Sequence, residues 1–407
     1  DNSDIPGMSL GGQLLVAHFN NDDTLDFYIT DVGIQDNNGA RDSYFLSQPD
    51  GTWLESSSTH FSHPNFESYN HGGAPGDIDN DGDMDVVYTV MNDWGIGTEF
   101  WCLMNDGTGF LKKRKCGGAD SFNIELADLD GDGDLDALIG GHEKEYSSNA
   151  LLTFTGIIWN DGRGNFNKHN NTRLREYKSH SCSQIPEVSA SDLDNDGDLD
   201  IVYSRIDENY ENPCIQIIEN LGNKKFKDHG LIILEGTEWI QDIKFRDFDG
   251  DGDQDVLFVA DIGDRIFKSF GSDRDKSYWS TIHILFNDGT GRLKEDLTKY
   301  ENGEVPRLPA PYHVEIADFN NDGIDDAFIG SFGVPTINEN NTNSWNPYPH
   351  LILMSDGTIH KNIQIDQGEP ALQQEPQTQN NFAHDASSGD VDGDGDVDVF
   401  MNATLYL

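Results

Sequence analysis

Apolar and polar residues alternate along most of the chain in short stretches, the period of half-buried β-strands. Seven times such a stretch gives way to nine residues dominated by acids, amides and glycine. These runs are "HFNNDDTLD" from His18, "DIDNDGDMD" from Asp77, "DLDGDGDLD" from Asp128, "DLDNDGDLD" from Asp192, "DFDGDGDQD" from Asp247, "DFNNDGIDD" from Asp318 and "DVDGDGDVD" from Asp390. Ahead of each lies an alternating segment, such as Ile124 with Leu126 or Val314 with Ile316. Behind most comes a β-rich run such as "DVVY", "DIVY" or "DVLF". Further on, stretches such as "FWCLMNDGTGFLKK", "GIIWNDGRGNFNK" and "IHILFNDGTGRLKE" carry the Asp-Gly turn of a hairpin.

Each repeat therefore predicts four antiparallel strands, A to D, with the acidic run joining A to B. Successive runs start 59, 51, 64, 55, 71 and 72 residues apart, the spacing of propeller blades with variable loops. The expected fold is an all-β, seven-bladed β-propeller of four-stranded antiparallel blades, a single domain over residues 1–407. Its blades span roughly 10–58, 69–118, 120–172, 184–232, 237–300, 310–366 and 381–407. The last stops at "ATLYL", the place of strand C. It is expected to be incomplete, with further domains beyond residue 407, or closed by the N-terminal residues, where Pro6 and Gly7 make a poor strand.

Within the runs, positions 1, 3, 5 and 9 offer carboxylate or amide oxygens, save for His18 at position 1 of the first. Position 6 is glycine in six of seven, and position 7 can add a backbone carbonyl. An all-oxygen set of this kind suits calcium, whereas softer metals would call for His or Cys. The candidate ligands are Asn20, Asp22 and Asp26 in loop 1; Asp77, Asp79, Asp81, Asp83 and Asp85 in loop 2; and Asp128, Asp130, Asp132, Asp134 and Asp136 in loop 3. Loop 4 offers Asp192, Asp194, Asp196, Asp198 and Asp200, and loop 5 Asp247, Asp249, Asp251, Asp253 and Asp255. Loop 6 offers Asp318, Asn320, Asp322, Ile324 (through its carbonyl) and Asp326, and loop 7 Asp390, Asp392, Asp394, Asp396 and Asp398. An EF-hand would need a bidentate acid at position 12, where the chain has Ile29, Tyr88, Ile139, Tyr203, Phe258, Ile329 and Met401. His18 at position 1 marks loop 1 as the weak site.

These loops resemble those of FG-GAP (VCBS) repeats, a family of seven-bladed propellers that includes integrin α-subunit heads and many secreted bacterial proteins. The resemblance covers nearly the whole chain. "DALIGG" and "DAFIGS" keep the glycine of the family's Gly-Ala-Pro but not its proline, and the literal Gly73-Ala74-Pro75 precedes its aspartates. The resemblance implies six or seven Ca2+ ions, mainly structural, on the face opposite the ligand-binding B–C and D–A loops.

The net charge of -48, from 74 acidic and 26 basic residues, argues against nucleic acid and anionic membranes as partners. It also calls for bound cations to offset self-repulsion. No apolar run reaches the roughly 18 residues of a membrane span, and the N-terminus lacks the features of a signal peptide, so it reads as mature. Cys102, Cys116, Cys182 and Cys214 allow three pairings. Local pairing, 102 with 116 and 182 with 214, is the expected one in a secreted or cell-surface protein, with buried free thiols the alternative.

Function is expected on the loop face. The long B–C segments carry Trp94, Trp279 and Trp345. Five residues before each acidic run stand Gln13, Gly72, Asn123, Glu187, Asp242, His313 and Asp385, polar in six of seven, with His71 and His384 beside them. By strand alternation they line the mouth of an axial channel. Two functions follow. One is recognition of a glycan or extracellular protein by His71, Trp94, Asn123, Glu187, Asp242, Trp279, His313, Trp345, His384 and Asp385. The other is a polysaccharide lyase or glycoside hydrolase using Glu187, Asp242, His313 and Asp385. Against both stands a plainer reading, that any propeller channel is lined by polar residues.

Overall fold

A computed structural model describes residues 11–406 except 21, 23, 32–41, 64–68, 92–96, 119–120, 122, 142–154, 178–181, 208–212, 235–238, 262–278, 310, 332–333, 338–342, 347–349, 357, 366–385, 390–396 and 402–403. Each acidic run sits between the first two strands of a sheet, as its flanking alternation predicts. The first four sheets are β1 (Gly11–Ala17) to β4 (Trp53–Glu55), β5 (Tyr69–Gly76) to β8 (Lys112–Gly117), β9 (Asn123–Ala127) to β12 (Asn171–Arg173), and β13 (Val188–Ser191) to β16 (Phe226–Ile233). The fifth runs from β17 (Trp239–Arg246) to β20 (Arg307–Pro309). The sixth joins β21 (Pro311–Ala317), β22 (Asp326–Ser331), β25 (His350–Ser355) and β26 (Ile359–Ile365). Neighbouring strands pair antiparallel, for example Asp136 with Ala127 and Ile139 with Ile124.

The architecture is an all-β propeller of four-stranded antiparallel blades, with six such blades among the described residues rather than the seven expected. The seventh repeat forms a three-stranded sheet, β27 (Ala386–Gly389), β28 (Asp398–Met401) and β29 (Thr404–Tyr406), because the described residues after β28 supply one more strand and no fourth. A second difference lies between β22 and β25. The expected loop there contains a hairpin, β23 (Val334–Ile337) with β24 (Asn343–Asn346), in which Pro335 pairs with Trp345.

The chain divides into two compact units. One comprises Asp1–Ala190, Ile201–Tyr203 and Ile217–Gly230, and the other Ser191–Asp200, Ser204–Gln216 and Leu231–Leu407. In the first, the strands bury Leu15, Tyr28, Tyr44 and Tyr88 in one cluster and Val87, Phe100, Ile124 and Ile139 in another, so the consecutive Val87 and Tyr88 serve opposite faces of their sheet. In the second, Leu257, Ile282, Val314 and Ile329 pack around Phe248. Position 2 of the acidic runs, an apolar residue flanked by polar ones, explains part of this core: Phe19, Ile78, Leu129, Leu193 and Phe248 are buried almost completely. A disulfide joins Cys102 to Cys116 on adjacent strands, and Cys182 and Cys214 are disulfide-bonded as well. Among the described residues no helix is long and apolar enough to cross a membrane.

Candidate metal loops and a carboxylate–histidine cluster

The acidic runs fold through hydrogen bonds from their own backbone. In loop 2 the Asp77 carboxylate accepts from Asp81 N–H at 3.1 Å and Gly82 N–H at 3.0 Å. Asp192 accepts from Asp196 and Gly197 in the same way, and Asp318 from Asp322 and Gly323. The glycine is needed here: Gly82 has φ +95°, where a Cβ is disfavoured.

Position 9 does more than the sequence suggests. Asp26, Asp85, Asp136, Asp200, Asp255, Asp326 and Asp398 are all buried to within 2% of complete. Asp85 accepts from Ile78 N–H at position 2 (3.3 Å) and from Asn105 N–H just beyond strand C (2.7 Å). Asp136, Asp255 and Asp326 repeat the pair of bonds with Leu129 and Asn160, Phe248 and Asn287, and Phe319 and Ser355. Position 9 thus braces loop, strand B and the C–D turn. Burial pushes the carboxyls of Asp85, Asp136 and Asp255 up to about 7.

Four loops gather three carboxylates with oxygens within 4.8 Å of one another: Asp77, Asp79 and Asp85; Asp128, Asp130 and Asp136; Asp192, Asp194 and Asp196; and Asp247, Asp249 and Asp251. Loops 1 and 6, with Asn20 and Asn320 at position 3, form no such group among the described residues. Of loop 7 only Asp398 of the candidate ligands is described, and Asp390, Asp392, Asp394 and Asp396 lie outside. The donor set is oxygen alone, which suits a hard cation. Asp79 Oδ1 and Asp249 Oδ1 are buried with no hydrogen-bond partner, and such atoms are costly unless something fills the cluster. The residues therefore fit a divalent cation. In two of the loops a lysine shares the position-3 carboxylate: Lys299 Nζ lies 2.7 Å from Asp249 Oδ2, and Lys224 Nζ pairs with Asp130 Oδ2.

The candidate functional residues on strand A fall into separate groups. In the first unit Asn123 Nδ2 donates to Glu187 Oε2 at 2.5 Å. In the second, His313 stands between two carboxylates, Nδ1 at 3.1 Å from Asp242 Oδ2 and Nε2 at 2.8 Å from Glu315 Oε1. Asp242 Oδ2 also accepts from Val314 N–H at 2.8 Å, Lys244 Nζ lies 3.5 Å from Asp242 Oδ1, and Ser388 Oγ donates to Glu315 Oε2 at 2.8 Å. Glu315, Lys244 and Ser388 are absent from the sequence-based set. For Glu315 and Lys244 the signal was available, since each lies two residues along its strand from His313 or Asp242 and so shares a face with it. His71, Trp279 and Trp345 lie in β5, β19 (Trp279–Leu285) and β24; Trp94, His384 and Asp385 lie outside the described residues.

Residues 18–88 and 192–258 match the FG-GAP-like repeat. The chain carries FG-GAP-like repeats. No curated protein sequence matches it. Among solved structures it is similar to the rhamnogalacturonan lyase YesW, at 13% identity and a TM-score of 0.45, over 95% of this chain and 65% of that one. It is similar to a Bacillus licheniformis rhamnogalacturonan lyase at 12% identity and 0.46, over 95% and 64% of the two chains. The V. cholerae biofilm matrix protein Bap1 follows at 12% identity and 0.43, over 96% and 84%. This FG-GAP-repeat chain thus spans less than two thirds of the length of either lyase.

Proposed function

We propose that this FG-GAP-repeat propeller is a secreted or cell-surface recognition module whose acidic loops bind calcium and whose B–C loops bind a glycan or an extracellular protein. The observation that carries the calcium reading is the pair of buried, unpartnered oxygens, Asp79 Oδ1 and Asp249 Oδ1, inside three-carboxylate groups. Calcium in these loops would offset the repulsion of five aspartates held within one short turn. The disulfides favour an oxidising compartment. The test is a calcium titration followed by a glycan array read with calcium and with chelator. Saturable calcium binding together with calcium-dependent glycan retention supports the reading; an array indifferent to every glycan leaves a protein ligand as the partner to screen.

A second reading, polysaccharide cleavage, is favoured by one observation. Asp242, His313 and Glu315 put two carboxylates and an imidazole within hydrogen-bond distance, with side chains only 12%, 12% and 17% exposed. Those groups could abstract or donate a proton. Recognition is preferred because both His313 nitrogens already face protein carboxylates, leaving neither ready to meet a substrate. Release of unsaturated or reducing ends from acidic polysaccharides, abolished by Asp242→Asn with His313→Ala, would reverse that preference.

A further inference from the structure

Two hydrogen bonds, each donated by an asparagine outside the candidate ligand set, join neighbouring acidic loops. In the first unit Asn80, at position 4 of loop 2, donates through Nδ2 to Asp134 Oδ1, at position 7 of loop 3, over 2.7 Å. In the second unit Asn195 of loop 4 donates to Asp253 Oδ1 of loop 5 over 2.8 Å. Both asparagines have φ +59°, a left-handed conformation that Asn tolerates better than most residues. The acceptor carboxylates are crowded on another side. A Cβ on the turn residue Gly162 would come within 2.7 Å of Asp134 Oδ2, and one on Gly289 within 2.5 Å of Asp253 Oδ2. Loops 3 and 5 cannot pass such a link on through position 4, since Gly131 and Gly250 have no side chain there. Their N–H groups bond inward to Asp128 Oδ1 and Asp247 Oδ1 instead.

We propose that the acidic loops bind calcium as coupled pairs, loop 2 with loop 3 through Asn80 and Asp134, and loop 4 with loop 5 through Asn195 and Asp253. This rests on the calcium reading above. Each pair contains a buried carboxylate oxygen without a hydrogen-bond partner, such as Asp79 Oδ1 in the first and Asp249 Oδ1 in the second, and the Asp249 side chain is only 2% exposed. Asn80 lies between the candidate ligands Asp79 and Asp81, and Asn195 between Asp194 and Asp196. Asp134 and Asp253 carry the backbone carbonyls expected to face the ion in the partner loops. A cation that fixes residues 79–81 therefore fixes the amide that holds Asp134, and so pre-orders the second loop. Charge acts in the same direction, because a cation in one loop weakens the repulsion that the next must overcome. The coupling is reciprocal. A single charge-assisted hydrogen bond belongs at the lower end of known couplings, about five- to tenfold in affinity.

The test is a calorimetric titration of the full chain with calcium chloride, comparing wild type with Asn80→Gly, Asn195→Gly and the double variant. Glycine is the residue loops 3 and 5 carry at position 4, so both changes have precedent within the chain. Wild type should bind with a Hill coefficient above one. Either variant should keep the number of ions bound, lose steepness and weaken the second binding step of its own pair about fivefold, and the double variant should lose both couplings. Wild-type binding with no cooperativity, or steepness unchanged in both single variants, overturns the coupling while leaving calcium binding intact. Absence of calcium binding in wild type overturns both.

Discussion

Asn105 Nδ2 donates to the carbonyl of Phe19, 86 residues earlier, over 2.6 Å, tying the turn after strand C of one blade to the acidic loop of the blade before. The contact repeats. Asn160 donates to Ile78 O, Asn220 to Leu129 O and Asn287 to Leu193 O, and Ser355 Oγ donates to Phe248 O. The backbone N–H of Asn105, Asn160, Asn287 and Ser355 goes at the same time to the buried position-9 aspartate of its own blade.

Replacing one of these amides should be costly. Asn160→Ala removes the side-chain donor to both Ile78 O (2.8 Å) and Leu135 O (3.0 Å) in a buried setting, and should destabilise by about 1–3 kcal/mol. Asn160→Ser, which copies Ser355, should recover part of the loss. Urea unfolding curves of the two variants against wild type read the difference.

These clasps mark where the sequence was legible and where it was not. The blade repeat, the strands and the acidic loops follow from local periodicity and turn residues, and the six complete blades match them. The asparagine of "MNDG", "WNDG" and "FNDG" reads locally as a turn residue, yet its partner lies 82 to 94 residues away, a relation no local pattern encodes. Position 9 was legible as a ligand but not as a brace, because one of its hydrogen-bond donors stands just beyond strand C, 20 to 32 residues further along the chain. Asp242 and His313 share a position in the repeat, so their polarity could be read; that they would bond to each other depended on the packing of β17 against β21.

Calcium should stabilise the fold measurably. At calcium about ten times the dissociation constant, each occupied site adds about 1.4 kcal/mol. EDTA should therefore lower the melting temperature by many degrees, and excess calcium, but not magnesium at equal concentration, should restore it. A scanning calorimetry series read with each ion provides the check.

In chelator the pH dependence should have an unusual sign. Burial raises Asp85, Asp136 and Asp255 to about 7 in the folded chain, against 3.8 as the ordinary value. Between these values the folded state holds more protons than the unfolded state, so their contribution grows as pH falls from 7 towards 5. His350 opposes this. Burial lowers it to about 4 and lowers His283 as well, so their contribution is lost as pH falls from 6.5, but they are two groups against the three aspartates and Asp326, which burial also raises. Melting temperature in EDTA should rise on acidification from pH 7 to 6 and on to 5. In calcium the same titration should fall, since protons then compete with the ion.

Lys299 should weaken calcium binding at loop 5. Its ammonium shares Asp249 at 2.7 Å, so Lys299→Ala should tighten the affinity of that site several-fold and lower stability slightly in chelator. Calorimetry in calcium and melting in EDTA should therefore move in opposite directions for this variant.

The most direct measurement is the number of calcium ions retained per chain, read by native mass spectrometry and by elemental analysis after exhaustive dialysis against buffer with free calcium. The three-carboxylate groups of loops 2 to 5 predict at least four ions per chain, lost on EDTA treatment together with a fall in melting temperature. A chain that retains no calcium and melts at the same temperature with and without EDTA would contradict it.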